Sequence, residues 1–440
     1  VADLIWIAHT TRYRGGSTEF GIAAHTMARE LAATHPDAAV VVAALDGKAD
    51  FTAAMADITA AGDRITELHF LGHAGMYGPM FATTAWPEQF SPHEWRDMHI
   101  PFTPGAQAYF HTCRSARWFA PFFAETFGVP TWGHHGYTTV SARPDRFSWA
   151  ALSHPGQLYL IETVGRKTHG LTGSLRKYSG APAIPMTCAH PEPAPAARGY
   201  DAVATLYDRA YANIRVREAE WHWLSERLTT VHRETGRRLR ILDIGCGNGA
   251  LLSAIGDLGV MESGIGADVS AAMLDTARAR VDDPCIDFTL IDSPALPLPA
   301  HSVDVVVSFL SFRYLDWDPV LAEIHRVLRP GGRLLVVDMV ERRATTADLP
   351  ALARAVLAHR RTPHRHPRFA HDLRALVEHP DWQEVLRHNP IRAEHEYRWY
   401  LESRFPGARL ETLTVAPHNR VVALDSGPVT TAATVPMSYP

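Results

Sequence analysis

The stretch Arg240-Ile241-Leu242-Asp243-Ile244-Gly245-Cys246-Gly247-Asn248-Gly249-Ala250-Leu251-Leu252 decides how the C-terminal half is read. An apolar run ends in an acid, three glycines alternate with other residues, and helical apolar spacing begins. The pattern predicts a strand turning tightly into a helix. Glycines there let a ligand approach the backbone, and helix N-terminal amides face it. Taken alone, the loop fits a dinucleotide site equally well.

The stretches after it narrow the choice. Ser263-Gly264-Ile265-Gly266-Ala267-Asp268-Val269-Ser270 reads as the next strand, its acid 25 residues beyond Asp243, where a carboxylate can accept two ribose hydroxyls. Phe288 to Pro299 follows, with Asp292-Ser293 leading into Leu296-Pro297. Then come Val303-Asp304-Val305-Val306-Val307-Ser308 and Arg326-Val327-Leu328-Arg329-Pro330-Gly331-Gly332. With these four motifs in order, residues 200–427 resemble the class I S-adenosylmethionine-dependent methyltransferases. A nicotinamide-binding fold is not expected to carry the last two.

The resemblance implies a Rossmann-like domain with an antiparallel last strand, S-adenosyl-L-methionine as cofactor and S-adenosyl-L-homocysteine as product. It places Asp243 toward the ammonium and Gly245, Cys246, Gly247 and Gly249 around the methionine portion and ribose. Asp268, followed by Val269, takes the ribose hydroxyls, a bidentate arrangement that a neutral side chain reproduces poorly. Asp292 and Ser293 face the adenine. Ser308 and Phe309 end the fourth strand beside the sulfonium, and Tyr207 is a candidate lid residue from the leading segment Tyr200–His232. Three strand-end acids in one sheet repel one another unless something cationic or hydroxyl-rich satisfies them.

At 440 residues the chain exceeds one typical domain. Its slightly acidic balance argues against a general nucleic-acid binder. No apolar run approaches the roughly 20 residues of a membrane span, and no signal-peptide pattern opens the chain. Cys113, Cys188, Cys246 and Cys285 lack C-x-x-C spacing and read as reduced thiols, so a cytoplasmic protein with no structural metal is expected. Expected boundaries are a first domain over 1–180, a Pro/Ala-rich linker over 181–199, a methyltransferase domain over 200–427 with inserted helices at 341–408, and a tail at 428–440. Both domains are expected to be α/β, each a mainly parallel sheet with helices on both faces.

In the first half, Leu4–Ala8, Ala39–Leu45, Leu68–Leu71 and Ala106–Phe110 read as strands alternating with helices, which implies a covered parallel sheet. Met76 to Pro104, rich in Pro, aromatics and His without clear period, reads as a long loop. Strands ending at His73 and Cys113 resemble the caspase and gingipain type of cysteine peptidase, although His73 is followed by Ala74 rather than Gly. That resemblance implies a Cys113/His73 dyad for peptide or acyl chemistry. The competing reading is a buried cysteine in an accessory domain that binds or positions a substrate.

The inserted segment contains a basic stretch, His359 to His371. Two prolines break it and no carboxylate completes a zinc-like set, so a metal site is not expected. It is either a solvated turn or a cationic wall, with His364, His366 or His371 as a base. Arg313 and Tyr314, just past the fourth strand, are candidates at the mouth of the site. The leading reading is methyl transfer to a small-molecule or peptide acceptor, of a biosynthetic tailoring kind, with the first domain assisting; a homodimer is compatible with it. The alternatives are a bifunctional enzyme using the dyad and a binding protein that senses the cofactor.

Overall fold

The structure is a computed structural model and describes residues 3–15, 17–141, 159–163, 186–191, 199–388 and 391–429. The chain divides into two compact units, Val1–Ala194 and Pro195–Pro440. Among the described residues no helix is long and apolar enough to cross a membrane.

In chain order the strands of the first unit begin with β1 (Asp3–Thr10), β2 (Ala39–Leu45) and β3 (Arg64–Leu71). Two-residue pairs follow: β4 (Ala74–Gly75) with β5 (Gly78–Pro79), and β6 (Phe81–Ala82) with β7 (Pro87–Glu88). The remainder are β8 (Phe102–His111), β9 (Thr131–Gly133), β10 (Tyr137–Ser141), β11 (Tyr159–Thr163) and β12 (Thr187–Ala189). The main sheet runs β12-β9-β8-β3-β1-β2, parallel except for β12. Alternate residues of β1 serve opposite faces: Ile5 and Ile7 meet Phe20, Ala23 and Met27 of helix Ser17–Thr34. Trp6 and Ala8 join Phe51 of helix Lys48–Ala61 and Phe119 and Phe123 of helix Phe119–Phe127. This period-two division, with both faces apolar, is what the near-continuous Val/Ile/Ala runs require.

Two expectations need correction. Met76–Pro104 is not a loop: it holds β5, the β6–β7 pair, helix Pro92–Asp97 and the first residues of β8. Ser91 caps that helix by accepting from the Glu94 amide at 3.2 Å, while the Glu94 carboxylate accepts from the Ser91 amide at 2.7 Å. Trp95, fully buried, donates to the Tyr77 carbonyl at 3.1 Å. Pieces of two and six residues are too short to show a period, so the aromatics read as loop decoration when they are core. Nor is the whole of 181–199 a linker. Within it, Thr187–Ala189 adds an antiparallel edge strand against β9, a place where flanking prolines are tolerated. Strand β11 pairs antiparallel with β10.

The second unit is one sheet of β13 (Leu239–Ile244), β14 (Met261–Asp268), β15 (Ile286–Leu290), β16 (Val303–Phe309), β17 (Leu328–Glu341), β18 (Glu411–Val415) and β19 (Asn419–Asp425). Its order is β15-β14-β13-β16-β17-β19-β18, parallel except that β19 is antiparallel to both its neighbours. From β13 the chain winds outward through β14 and β15, then restarts on the other side at β16. The direction reverses between β13 and β16, and ligands in such sheets bind beyond the carboxyl ends of the strands at that point.

Two of the motifs lie at the opposite end. Asp304, buried at the start of β16, accepts from Arg237 Nη1 at 2.8 Å, from the Arg240 amide at 2.8 Å and from Arg329 Nη1 at 3.1 Å. Burial alone would raise its carboxyl pKa, but these donors hold it below the ordinary value. The Val303-Asp304 and Arg329-Pro330-Gly331-Gly332 motifs therefore clamp the amino ends of β13, β16 and β17 together. Replacing Asp304 by Ala leaves Arg237 and Arg329 without their shared acceptor. A loss of about 2–3 kcal/mol is expected, read as a lower urea midpoint, with Arg237 half-exposed and so partly rehydrated.

Candidate functional site

Two acids and the glycine loop lie at the carboxyl end of the second sheet. Asp243 closes β13 and is 1% exposed, and neither carboxylate oxygen has a hydrogen-bond partner. Asp268 closes the adjacent β14. Burial, and then the charge of Asp268, push the Asp243 carboxyl up to about 8. Asp268 is raised by burial too, opposed by backbone amides: Gly247 donates to it at 2.8 Å and Ser270 at 2.9 Å. Asp292 lies beyond β15 and is exposed, so it does not share the burial of the other two. Ser293 is half-buried beside it.

The glycine loop between β13 and helix Ala250–Gly256 takes its shape from three left-handed residues, Gly245, Gly247 and Gly249, with φ of 75°, 53° and 72°. Only one of them faces room. A side chain on Gly245 would start 2.4 Å from Ser311 Cβ, and one on Gly249 2.8 Å from the Phe288 ring. One on Gly247 would meet only the Tyr207 ring, 3.9 Å away. The expectation that all three make space for a ligand is thus narrowed to Gly247; the other two make space for the protein's own side chains. Cys246 is buried in the loop.

The leading segment folds over this loop. Asn248, 4% exposed, donates from Nδ2 to Asp208 at 3.0 Å and to the Tyr211 carbonyl at 3.3 Å. Ser270 donates its hydroxyl to Asp201. Tyr207 is therefore held against the loop from two sides. Beside Asp268 and at the end of β15, Val269 and Leu290 are 71% and 52% exposed, two apolar side chains left open along the same rim.

Other predicted residues have different employment. The Ser308 hydroxyl is fully buried, 2.8 Å from the Ser311 hydroxyl, and Ser311 donates to the Ile244 carbonyl at 2.7 Å. Phe309 is core. Arg313 is buried and ion-paired to Asp338 of β17, which also accepts from its backbone amide at 2.7 Å and from the Tyr397 hydroxyl. Burial would lower the guanidinium pKa, but Asp338 and the surrounding phenols raise it well above normal, so Arg313 cannot serve as a base. The Tyr314 hydroxyl accepts from Tyr200 at 3.0 Å.

In the insertion, His366 approaches Glu218 at 3.4 Å, and His371 is 82% exposed beside Asp372. Neither stands in an enclosed site. The His364 side chain lies outside the described residues. Among the described residues no cluster of His, Cys, Asp and Glu could hold a metal ion.

In the first unit, the register pairs Leu71 with His111, so β3 and β8 are neighbours and His73 and Cys113 each lie two residues further on. The two side chains are engaged elsewhere. His73 Nε2 is 3.1 Å from the Gly15 carbonyl oxygen, and its ring lies edge-on to Tyr13 and Phe20. Cys113 Sγ accepts from the Thr138 amide at 3.3 Å. Burial, with Arg14 nearby, lowers the His73 pKa and favours neutral imidazole.

Sequence reasoning missed Tyr200, Asn248, Ser311 and Asp338. Asn248 alone had a local signal, its place inside the glycine loop. The rest are brought to the site by other elements.

A methyltransferase-domain family matches residues 242–336. The second half is similar to 27-O-demethylrifamycin SV methyltransferase of Amycolatopsis mediterranei, 34% identical over 34% of this chain and 60% of that protein. It is also similar to a probable S-adenosylmethionine-dependent methyltransferase of Mycolicibacterium smegmatis, 42% identical over 24% of this chain and 39% of that one. A third relative is a sterol 4-C-methyltransferase of Caenorhabditis elegans, 30% identical over 27% and 38%. The chain spans about half the length of the curated relatives it matches, from 38% to 60%. The C-terminal unit thus carries a class I S-adenosylmethionine-dependent methyltransferase domain, with S-adenosylmethionine as its cofactor and S-adenosylhomocysteine as the product form.

The buried carboxylate makes a pH prediction. With its folded pKa above the unfolded value of 3.8, Asp243 keeps a proton between about pH 4 and pH 8 that the unfolded chain has lost. Ligand-free stability therefore falls as pH rises through that window. Asp243→Asn removes this fall, so the variant's advantage over wild type should grow from pH 5 to pH 8, by at most about 4 kcal/mol. Urea midpoints at a series of pH values read it; a difference constant across the range would mean that Asp243 does not titrate there.

Proposed function

We propose that the second unit transfers a methyl group from S-adenosylmethionine to a small-molecule or peptide acceptor, as a biosynthetic tailoring enzyme. The observation that carries the reading is Asp243: a buried carboxylate with two unpartnered oxygens, beside a second, half-buried acid. Leaving such a group unpaired is costly, and a ligand ammonium seated there relieves the cost. The cofactor supplies a methyl on a positively charged sulfur, already activated for displacement.

The chain's own residues bind and align. Asp243 holds the ammonium, directly or through water, and Gly247 lets the ligand approach the loop beneath Tyr207. Gly245, Cys246 and Gly249 hold the loop in shape, and Ser308 and Phe309 support it from β16. Asp268 already accepts two backbone amides and offers its remaining lone pairs to the ribose hydroxyls. Val269 and Leu290 form apolar walls for the adenine, with Asp292 and Ser293 at its edge. Much of the rate comes from alignment, because the displacement needs acceptor, methyl and sulfur in line.

In this reading the first unit assists substrate binding. Thiol chemistry is the less supported role for it, since His73 and Cys113 are bonded to Gly15 and Thr138 rather than to each other.

Calorimetric titration of the intact chain with S-adenosylhomocysteine should give saturable binding, lost or weakened at least 100-fold in Asp268→Ala. At pH 7, Asp243 ionises as the ligand ammonium arrives, so wild type should release close to one proton on binding. That release, measured in buffers of different ionisation enthalpy, should vanish in Asp243→Asn. No detectable binding to the intact protein would remove the proposal.

A further inference from the structure

The inserted helices and the leading segment share a small core of their own. Helix Ala204–Ala210 and its flanks pack against helices Pro367–Glu378 and Pro380–His388 through Val203, Tyr211, Leu376 and Val385. This core sets the rings of Tyr200 and Trp382 beside Tyr207, the residue against Gly247, and Tyr314, from the turn after β16, extends the group. Tyr200 is 5.9 Å from Tyr207, Trp382 is 6.2 Å from it, and Tyr314 is 5.9 Å from Tyr200. An aromatic enclosure therefore begins where the cofactor loop ends.

Its charges are already spent. Arg313 is paired with Asp338, Arg280 with Asp208, and Arg217 with Glu220 and the Tyr211 hydroxyl. Among the described residues, each of these cations already faces a carboxylate, so its charge is compensated even where a buried Nε–H of Arg217 or Arg280 stays unbonded, and a further charge enclosed without an opposite one is expensive. What the enclosure does offer is a hydroxyl. Tyr200 donates to Tyr314 at 3.0 Å, which leaves the Tyr314 hydroxyl hydrogen to be given onward. A donor that is itself an acceptor is the better donor for it.

We infer that Tyr314, backed by Tyr200, is the acceptor-orienting group of this site, and that it selects an uncharged acceptor carrying a carbonyl or hydroxyl oxygen under the aromatic roof of Tyr207 and Trp382. The inference rests on the methyl-transfer reading above and narrows its substrate class. Burial pushes the Tyr200 hydroxyl well above the ordinary phenol value, so Tyr200 keeps its proton and remains the donor to Tyr314. Tyr200 and Tyr314 are positioning residues: they hold the oxygen while alignment carries the transfer. The Arg313 guanidinium, 4.4 Å from the centre of the Tyr314 ring, fixes that ring from behind.

The test uses the full-length chain saturated with S-adenosylhomocysteine and five probes of one shape. These are 2-naphthol and 2-acetylnaphthalene, naphthalene-2-carboxylate, 2-naphthylmethylammonium, and 2-methylnaphthalene, which lacks any polar group. The two neutral oxygen-bearing probes should bind tighter than both charged ones. Tyr314→Phe should weaken those two about fivefold, the size of one neutral hydrogen bond, and Tyr200→Phe about two- to threefold. Binding of 2-methylnaphthalene should not change in either variant, which a general loss of packing would not allow. Tighter binding of a charged probe, no binding of either neutral oxygen probe, or an equal loss for 2-methylnaphthalene overturns the inference. S-adenosylhomocysteine titration of the same variants should be unaltered. Absence of that binding in wild type defeats the methyl-transfer reading instead, and the probe series run without the nucleoside still reports on Tyr314.

Discussion

A carboxylate without a partner sits at the centre of the second unit. Asp243 is held at the end of β13 with β14 and β16 on either side, and no side chain reaches its oxygens. Burying an acid this way costs free energy, and a protein under no functional demand replaces it with something apolar. Asp268 on the next strand deepens the problem, because two neighbouring acids cannot both ionise freely. In the methyl-transfer reading proposed above, the ammonium and the ribose hydroxyls of S-adenosylmethionine meet these two acids.

The rest of the unit divides its work by position along the strands. At the amino ends, Asp304 gathers Arg237, Arg329 and the Arg240 amide, and the motif residues there maintain the sheet. At the carboxyl ends lie the buried Asp243, the half-buried Asp268 and the glycine loop. Two motifs that look alike as sequence signals therefore lie at opposite ends of the sheet, and the one at the amino ends holds strands together. The insertion adds a third function. It covers the leading segment with Phe369, Leu373 and Trp382, so the aromatic enclosure near Tyr207 is assembled from residues nearly two hundred positions apart.

The first unit shows the same rule with a different outcome. Its carboxyl-end rim carries His73 and Cys113 on adjacent strands, as the alternation of strands and helices led one to expect. Adjacency did not make a dyad. A carbonyl from the β1 loop and an amide from β10 reached those side chains first. The Met76–Pro104 region misled for a related reason: its aromatics face Phe51 and Phe110 across the core, and only the folded chain shows that they have a partner.

What the sequence determined by itself was everything encoded within one strand and its following turn. The acids at the ends of β13 and β14, the glycines that must turn left-handed, and the apolar runs that must be buried on both faces are local demands, and local spacing reveals them. What only the tertiary structure decided was which side chain fills each remaining space. Ser311 and Phe288 occupy the room beside Gly245 and Gly249, Asp338 pairs with Arg313, and Tyr200 finds Tyr314 across more than a hundred residues. Those contacts depend on the packing of distant elements, where a hydrogen bond or a van der Waals contact forms with whatever the fold brings near, and no spacing along the chain records it.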